Sequence, residues 1–348
     1  MLLHLVSGGC GFIGRNMVKR LYQTSKDAIL FVDNLLVGKH PKEWLDLPLV
    51  ETIHELEVYG ADKRLLFLKM DLRDFIRQLL TSPSFLQQRY RLPFAGFHDI
   101  YHFAAYVGGR MAIEKDPISI AQDLSIDADF FYWISRQPPK RVLYPSSSAA
   151  YPIDLQKEAT ATALKESDIN FQQLQEPDLL YGWTKLTGEY LAKLTAQHYG
   201  ISIACVRPFS GYGEDQDLNY PIPAIVHRFV KKENPLVVWG SGKQARDFVY
   251  IEDVLDAMEL AIAHITDGSA VNISTGQPTS FLDIISILSK ITGYQPDIQT
   301  SLEKPVGVFA RYGQPDLAAG KLGWRAKVSL EEGLRRVYGY AQRSNGKI

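Results

Sequence analysis

Residues 3–14 read Leu-His-Leu-Val-Ser-Gly-Gly-Cys-Gly-Phe-Ile-Gly, so a short apolar run passes directly into glycines spaced G-x-x-G-x-x-G. No other segment constrains the fold as much. Glycines at the end of a strand let the backbone turn tightly and approach a bulky anion. A helix starting at once aims its first N–H groups and its partial positive charge at that anion, and a third glycine lets helix and strand pack closely. Glycine patterns are common, but one placed between a strand and a helix carries a signal. Gly8, Gly11, Phe12, Ile13 and Gly14 are therefore expected to face a pyrophosphate.

Short apolar runs then alternate with longer amphipathic segments: Leu3–Ser7, Gly14–Gln23, Ile29–Asp33, Leu66–Met70, Asp99–Phe103, Ile118–Arg136, Arg141–Tyr144, Tyr181–Tyr199 and Ser202–Arg207. This rhythm predicts βαβ units, an α/β fold and a doubly wound parallel sheet. Segments 40–62 and 82–97 lack a period and read as irregular excursions or short helices. Beyond Arg207 the chain is broken by Pro and Gly, with helices such as Ala224–Lys232 and Phe281–Thr292 between them. The expected division is residues 1–207 and a smaller C-terminal lobe, 208–348, with room for the two to interleave.

With 348 residues, 46% hydrophobic, the chain can bury a large core. A net charge of −1 without any long Lys/Arg run argues against a nucleic-acid or membrane partner and points to small-molecule chemistry. Cys10 and Cys205 are too few and too far apart for a disulfide framework or a metal cluster, so reduced thiols and no metal are expected. The N-terminus is apolar for only a few residues, and no run is long enough to span a bilayer, so a cytoplasmic protein is expected.

The second strand ends Phe31-Val32-Asp33-Asn34-Leu35. An acid here accepts from a ribose 2′-hydroxyl and repels a 2′-phosphate, which favours NAD over NADP. Asp71-Leu72 ends the third strand, where the carboxylate suits either an adenine edge or a helix N-cap. Phe103-Ala104-Ala105 ends the fourth, small enough for cofactor and backbone to touch, while His102 reads as a packed core residue. Further on, Tyr181-Gly182-Trp183-Thr184-Lys185 opens a long helix, and the four-residue spacing sets phenol and ammonium on one face. An ammonium beside a phenol, with a nicotinamide's positive charge nearby, favours phenolate, which can take a proton from an alcohol as hydride leaves the same carbon.

In this order the segments resemble the extended short-chain dehydrogenase/reductase family of nucleotide-sugar epimerases and dehydratases. The resemblance also rests on Ser147…Tyr151, Arg207-Pro208-Phe209, Arg246-Asp247-Phe248-Val249-Tyr250 and Lys321-Leu322-Gly323-Trp324. It implies a Rossmann-type domain with NAD, a sugar-nucleotide lobe, and a Ser-Tyr-Lys triad of Ser147, Tyr181 and Lys185. Ser146 and Ser148 are then expected to satisfy strand-end backbone groups. The same resemblance implies substrate contacts from Val107, Gly108, Gly109, Ser147, Ser148, Ser210, Ile222, Arg246 and Arg311, with Arg246 at the phosphates. Ala104-Ala105-Tyr106-Val107-Gly108-Gly109 is most similar to the loop of GDP-mannose 3,5-epimerases and GDP-fucose synthases, which favours a GDP-sugar.

Several departures narrow the chemistry. Ala149 stands where 3,5-epimerising relatives carry a cysteine, and Pro221 and Asp215 fall where they carry a lysine or histidine. Ser148-Ala149 replaces the Asp-Glu of dehydratases, Ser210 an asparagine, and Asp123 or Leu124 another asparagine. The expected activity is 4-epimerisation by transient oxidation at C4. The alternatives are a 3,5-epimerase type using Asp215, Tyr106 or His227 as substitute acid/bases, and a silent NAD-binding sensor. A homodimer is expected through Ile118–Arg136 and Tyr181–Tyr199, which the aromatic run Phe130-Phe131-Tyr132-Trp133 suits.

Overall fold

Strands covered by helices on both faces need apolar residues at every position, and the near-continuous apolar runs of the N-terminal half supply them. In the computed structural model, which describes residues 2–106, 114–304 and 306–344, they form a nine-stranded sheet. Its order is Asp267–Ile273, Ser202–Pro208, Arg141–Pro145, Asp99–His102, Leu3–Ser7, Ala28–Asp33, Leu65–Lys69, Leu56–Tyr59 and Leu49–Ile53. Every pairing from the first strand of that order to Leu65–Lys69 is parallel. Alternate residues serve opposite faces. Val6, Phe31 and Leu143 pack with Met17 and Val18 of helix Phe12–Thr24 and Met258 of helix Ile251–His264. Leu5, Leu30 and Val142 pack with Phe75 of helix Leu72–Thr81, Trp133 of helix Gln122–Arg136 and Ala192 of helix Leu179–Tyr199.

Leu3–Ser7 has the second strand on one side and Asp99–His102 on the other. The connections therefore reverse direction there and leave a crevice at the strands' C-terminal ends, where open α/β sheets bind ligands. Residues beyond 208 build three small sheets. Ser210–Tyr212 pairs with Phe248–Tyr250, Leu236–Trp239 with Ile298–Ser301, and Ala245–Arg246 lies between Thr279–Ser280 and Ala310–Arg311. Strand Asp267–Ile273 returns to the main sheet beside Ser202–Pro208, so the two parts of the chain interleave.

Two expectations change. Segment 40–62 contains an antiparallel hairpin, Leu49–Ile53 with Leu56–Tyr59, that extends the sheet edge. Its turn uses His54 at φ 53°, a residue that does not advertise a left-handed turn, and the outer strand is largely exposed, so neither signal reads from sequence. In the aromatic run, Phe130, Phe131 and Trp133 are buried in the chain's own core, and Tyr132 alone of the four is exposed. Segment 82–97 contains the short helix Phe85–Tyr90. Among the described residues, no helix is long and apolar enough to cross a membrane.

Candidate active site

Leu3–Ser7 ends at Gly8, whose φ of 67° is left-handed. A Cβ there would stand 2.6 Å from the Ala104 nitrogen, and one on Gly14 would stand 2.1 Å from the Gly8 carbonyl oxygen. Gly11 caps helix Phe12–Thr24 without any side-chain cap bond, and the first turn, with Phe12, Ile13 and Gly14, holds no acid. The result is a side-chain-free cradle under an uncapped helix start, which fits a dinucleotide pyrophosphate. At the adjoining strand end, the Asp33 carboxylate accepts from the N–H of Cys10 at 2.9 Å and of Leu35 at 2.7 Å. Burial raises its carboxyl, the two N–H donors oppose that, and its remaining lone pairs suit a ribose diol.

Asp71 caps helix Leu72–Thr81 by accepting from the Arg73 N–H at 2.9 Å, and Asn34 Nδ2 donates to it at 3.2 Å. Phe103, Ala104 and Ala105 follow strand Asp99–His102, and the Phe103 N–H donates to the Ser7 carbonyl at 2.9 Å. His102 is buried, as expected, within a polar network: Nδ1 lies 2.8 Å from Ser7 Oγ, Nε2 3.2 Å from Asp127 Oδ1, and the ring stacks on Phe130. Cys10 and Cys205 are free, buried thiols.

Ser147 ends the strand Arg141–Pro145 region and caps the turn Ser148–Ala150, its Oγ accepting from the Ala149 N–H at 3.1 Å. That leaves its O–H proton free to point away from the turn. The Ala149 carbonyl accepts from the Asp178 N–H at 3.0 Å, and a Cβ on Gly182 would stand 2.4 Å from the same oxygen. This contact docks the start of helix Leu179–Tyr199 on the serine turn and brings Tyr181 and Lys185 to Ser147's end of the sheet. Lys185 Nζ lies 5.6 Å from the Tyr181 ring centroid and 5.7 Å from that of Tyr144. Burial alone would lower the Lys185 ammonium, but Asp123 first, then Tyr181 and Asp127, outweigh it and hold it above its ordinary value.

One expectation about the serines is corrected. The Ser146 hydroxyl is buried and has no hydrogen-bond partner among the described residues, because the strand-end bond is made by its backbone N–H to Val206. Ser148 is buried in the turn. Tyr151 donates to Asn272 at 2.7 Å and accepts from Arg207, which is paired with Glu189 at 2.7 Å, so it is part of the core.

Ser210 begins a strand whose N–H bonds the Asp247 carbonyl, and Ile222 is buried in helix Pro221–Val230. Arg246 and Arg311 are register partners on adjacent parallel strands. Arg246 donates to the carbonyls of Ala245, Val306 and Phe309. The neighbouring Asp247 carboxylate accepts from Ser274, Thr275 and Gly276, and Glu252 pairs with Arg336. Arg311 is 2.6 Å from Asp178 and 2.6 Å from Gln156, so it steadies the residue preceding helix Leu179–Tyr199. Val107, Gly108 and Gly109 lie outside the described residues.

Sequence reading missed the groups that arrive from distant segments. Asp123 enters the Lys185 environment from helix Gln122–Arg136. Arg15, a helix residue after the glycines, pairs with Asp215 at 2.7 Å. Tyr220 lies close enough to Tyr181 that burial, then that phenol and Asp217, push its own phenol up to about 12. At the opposite end of the sheet, His4, His98 and Asp99 could offer three metal-ligand atoms, but both Asp99 oxygens accept from Arg141, at 2.7 and 2.9 Å.

Comparison with known proteins bears on the family and the fold. The chain is 28% identical over 250 residues to a GDP-L-fucose synthase of Sinorhizobium fredii, covering 69% of this chain and 78% of the relative. It is likewise 28% identical over 257 residues to the GDP-L-fucose synthase of Escherichia coli, covering 69% and 78%. Among solved structures, UDP-glucose 4-epimerase of Thermotoga maritima with UDP-glucose superposes with a TM-score of 0.81 at 24% identity, covering 99% of this chain and 100% of that one. UDP-glucuronic acid 4-epimerase of Bacillus cereus, bound to UDP-glucuronic acid and NAD, gives 0.77 at 23%, covering 99% and 100%; both likenesses are of fold. The family described as NAD dependent epimerase/dehydratase matches residues 4–274, and with the glycine cradle and Tyr-Lys helix in place, the chain belongs to that family.

Proposed function

We propose that the chain is an NAD-dependent nucleotide-sugar 4-epimerase, with Ser147, Tyr181 and Lys185 as its catalytic residues. One observation carries this reading: the serine turn docked against the Tyr181 helix is closed by Ala149, a buried residue with no acid/base group. When bound, NAD accepts hydride from the sugar carbon and returns it. Tyr181 takes the C4 hydroxyl proton, and the Lys185 ammonium beside the ring stabilises the phenolate. Ser147, whose oxygen already accepts from the Ala149 N–H, donates its O–H to the same sugar oxygen. Inversion at C4 would require the ketone to present its opposite face to the cofactor, with the proton handed back by Tyr181. Asp33 favours NAD over NADP, and the paired arginines Arg246 and Arg311 suit a diphosphate.

The test uses UDP-glucose, UDP-galactose, UDP-glucuronic acid and GDP-mannose as probes, with C4 inversion followed by proton NMR in heavy water. Inversion of one of them without deuterium at C3 or C5 is expected. Clear incorporation at either carbon would overturn 4-epimerisation in favour of a 3,5-epimerase type. Tyr220 is the observation that favours that second reading, because it brings another phenol to the Tyr181 end of the crevice. Half-exposed Trp183 and Tyr190 on helix Leu179–Tyr199, with Tyr132 on its neighbour, support a homodimer formed through this helix pair.

A further inference from the structure

Arg15 follows Gly14 on the helix that starts at the glycine cradle, and it is only 3% exposed. A guanidinium so deeply buried must place its N–H groups on acceptors. One edge of its fork takes a single residue of the C-terminal lobe: Nε donates to Asp215 Oδ2 and Nη2 to the Asp215 carbonyl, both at 2.7 Å. Asp215 offers both acceptors from a left-handed backbone, φ 54°, which aspartate adopts more readily than most residues. The third contact is to the cradle itself, where Nη1 donates to the Cys10 carbonyl at 3.4 Å. The loop that carries Asp215 is held in place on its other sides. Gln216 Nε2 donates to the Gly211 carbonyl at 3.0 Å, and the Tyr250 hydroxyl to the Glu214 carboxylate at 2.7 Å. A Cβ on Gly213 would stand 3.2 Å from Phe12 Cζ and 2.6 Å from Ile251 Cγ2, so the loop runs close against the helix start.

These contacts meet at the Cys10 peptide. Its N–H donates to the Asp33 carboxylate at 2.9 Å, and its carbonyl accepts from the Lys39 N–H at 3.2 Å as well as from Arg15. Lys39 Nζ in turn donates to the Asp215 carbonyl at 3.4 Å. The lobe loop, the segment after Asp33 and the glycine turn are therefore joined at one point beside the cradle. We propose that Arg15 and Asp215 fasten the C-terminal lobe to the glycine turn and thereby slow the release of NAD, with Arg15 as a positioning residue for the cradle. An arginine that merely knits two lobes together can do so anywhere along their contact. Arg20, further along the same helix, does this, pairing with Asp256 of helix Ile251–His264 at 2.5 Å. Arg15 instead bonds the turn on which the pyrophosphate rests, and through the Cys10 peptide it reaches the acid that faces the ribose. While its fork is engaged, the turn cannot swing open without breaking bonds to the lobe. The proposal concerns the cofactor alone and holds whatever sugar the enzyme takes.

The experiment loads the protein with radiolabelled NAD and follows its exchange into an excess of unlabelled NAD. Asp215→Asn keeps the shape and the main-chain acceptor but removes the charge, and Arg15→Lys keeps the charge but loses the two-pronged grip. Each is expected to speed release by about ten-fold, the weight of one charge-assisted hydrogen bond. The change should lie mainly in the dissociation rate, and the double variant should add little to either single one, because both break the same contact. ADP-ribose, which lacks the nicotinamide, should be released faster by the same factor, since the fastening lies at the ribose and pyrophosphate end. Arg20→Lys is the control, expected to lower the melting temperature of the NAD-free protein and to leave NAD release unchanged. Release unchanged in Asp215→Asn and Arg15→Lys, or quickened just as much by Arg20→Lys, overturns the proposal and reduces the pair to a link between lobes. Faster release of NAD without faster release of ADP-ribose overturns it too. Should Arg15→Lys fail to fold, Asp215→Asn with both ligands decides.

Discussion

Gly182→Ala tests whether contact between the serine turn and the Tyr181 helix sets the reacting geometry. The added Cβ would stand 2.4 Å from the Ala149 carbonyl oxygen and 2.7 Å from Pro177 Cβ, where real Cβ contacts essentially never fall below 3.0 Å. Neither neighbour is a flexible tip, since one is backbone and the other a ring held next to Asp178. The helix start must therefore retreat by about 0.6 Å or more, the difference between 3.0 and 2.4 Å. The retreat stretches the Asp178 N–H bond to Ala149, now 3.0 Å, and moves Tyr181 away from Ser147. Displacements approaching 1 Å cost up to about 10²-fold in rate, and overpacking of this kind costs ~1–3 kcal/mol of stability. The expected result is kcat reduced by roughly ten- to a hundred-fold with NAD affinity within about two-fold, because the glycine cradle is on a different strand. Steady-state kinetics on the substrate identified by NMR, with calorimetric NAD binding, measures both. A variant with unchanged kcat and an unchanged melting temperature would refute the idea that this contact positions the base.

Asp33→Ala should narrow the preference for NAD over NADP, since it removes the charge that repels a 2′-phosphate; equal affinities in the unmodified protein, by calorimetry, would defeat that reading. Arg246→Lys is expected to weaken sugar-nucleotide affinity about ten-fold while NAD affinity stays put, because a point charge replaces a fork that also donates to three carbonyls. Asp99→Asn concerns stability against pH. Burial alone would raise the Asp99 carboxyl, but the His4 ring 3.2 Å away and the two hydrogen bonds from Arg141 outweigh it and hold the group well below the usual carboxylate range. A lowered folded-state value means stability that is present above the ordinary carboxylate range and lost as pH falls through and below it. Asp99→Asn should therefore lower the melting temperature at pH 7 and have a smaller effect near pH 2; an equal loss at both pH values would remove electrostatics as the cause.

How much of this was legible in the sequence depended on whether the chemistry was local. The glycine turn, Asp33 and the Tyr181–Lys185 pair each lie within one strand-end or one helical turn, so spacing was enough to single them out as candidates. Parallel strands buried on both faces leave long apolar runs, which made the order of elements legible as well. The edge hairpin was not, because its left-handed turn falls on His54 and its outer strand is too exposed to show a pattern. The aromatic run misled for a related reason: helix Gln122–Arg136 spends three of those four rings on its own sheet, and a sequence does not say which side of a helix meets a sheet and which a partner. The site's tuning was least legible. Asp178 reads as an ordinary acid before a helix, yet it joins the serine turn through its N–H and Arg311, 133 residues away, through its carboxylate. Asp123, like Leu124 beside it, reads only as a candidate departure from the family's asparagine until the Thr184 hydroxyl, 61 residues on, is seen to reach its carboxylate. Strand-end motifs can name candidate groups, but the charges that surround them come from side chains brought together only by packing one helix against the next.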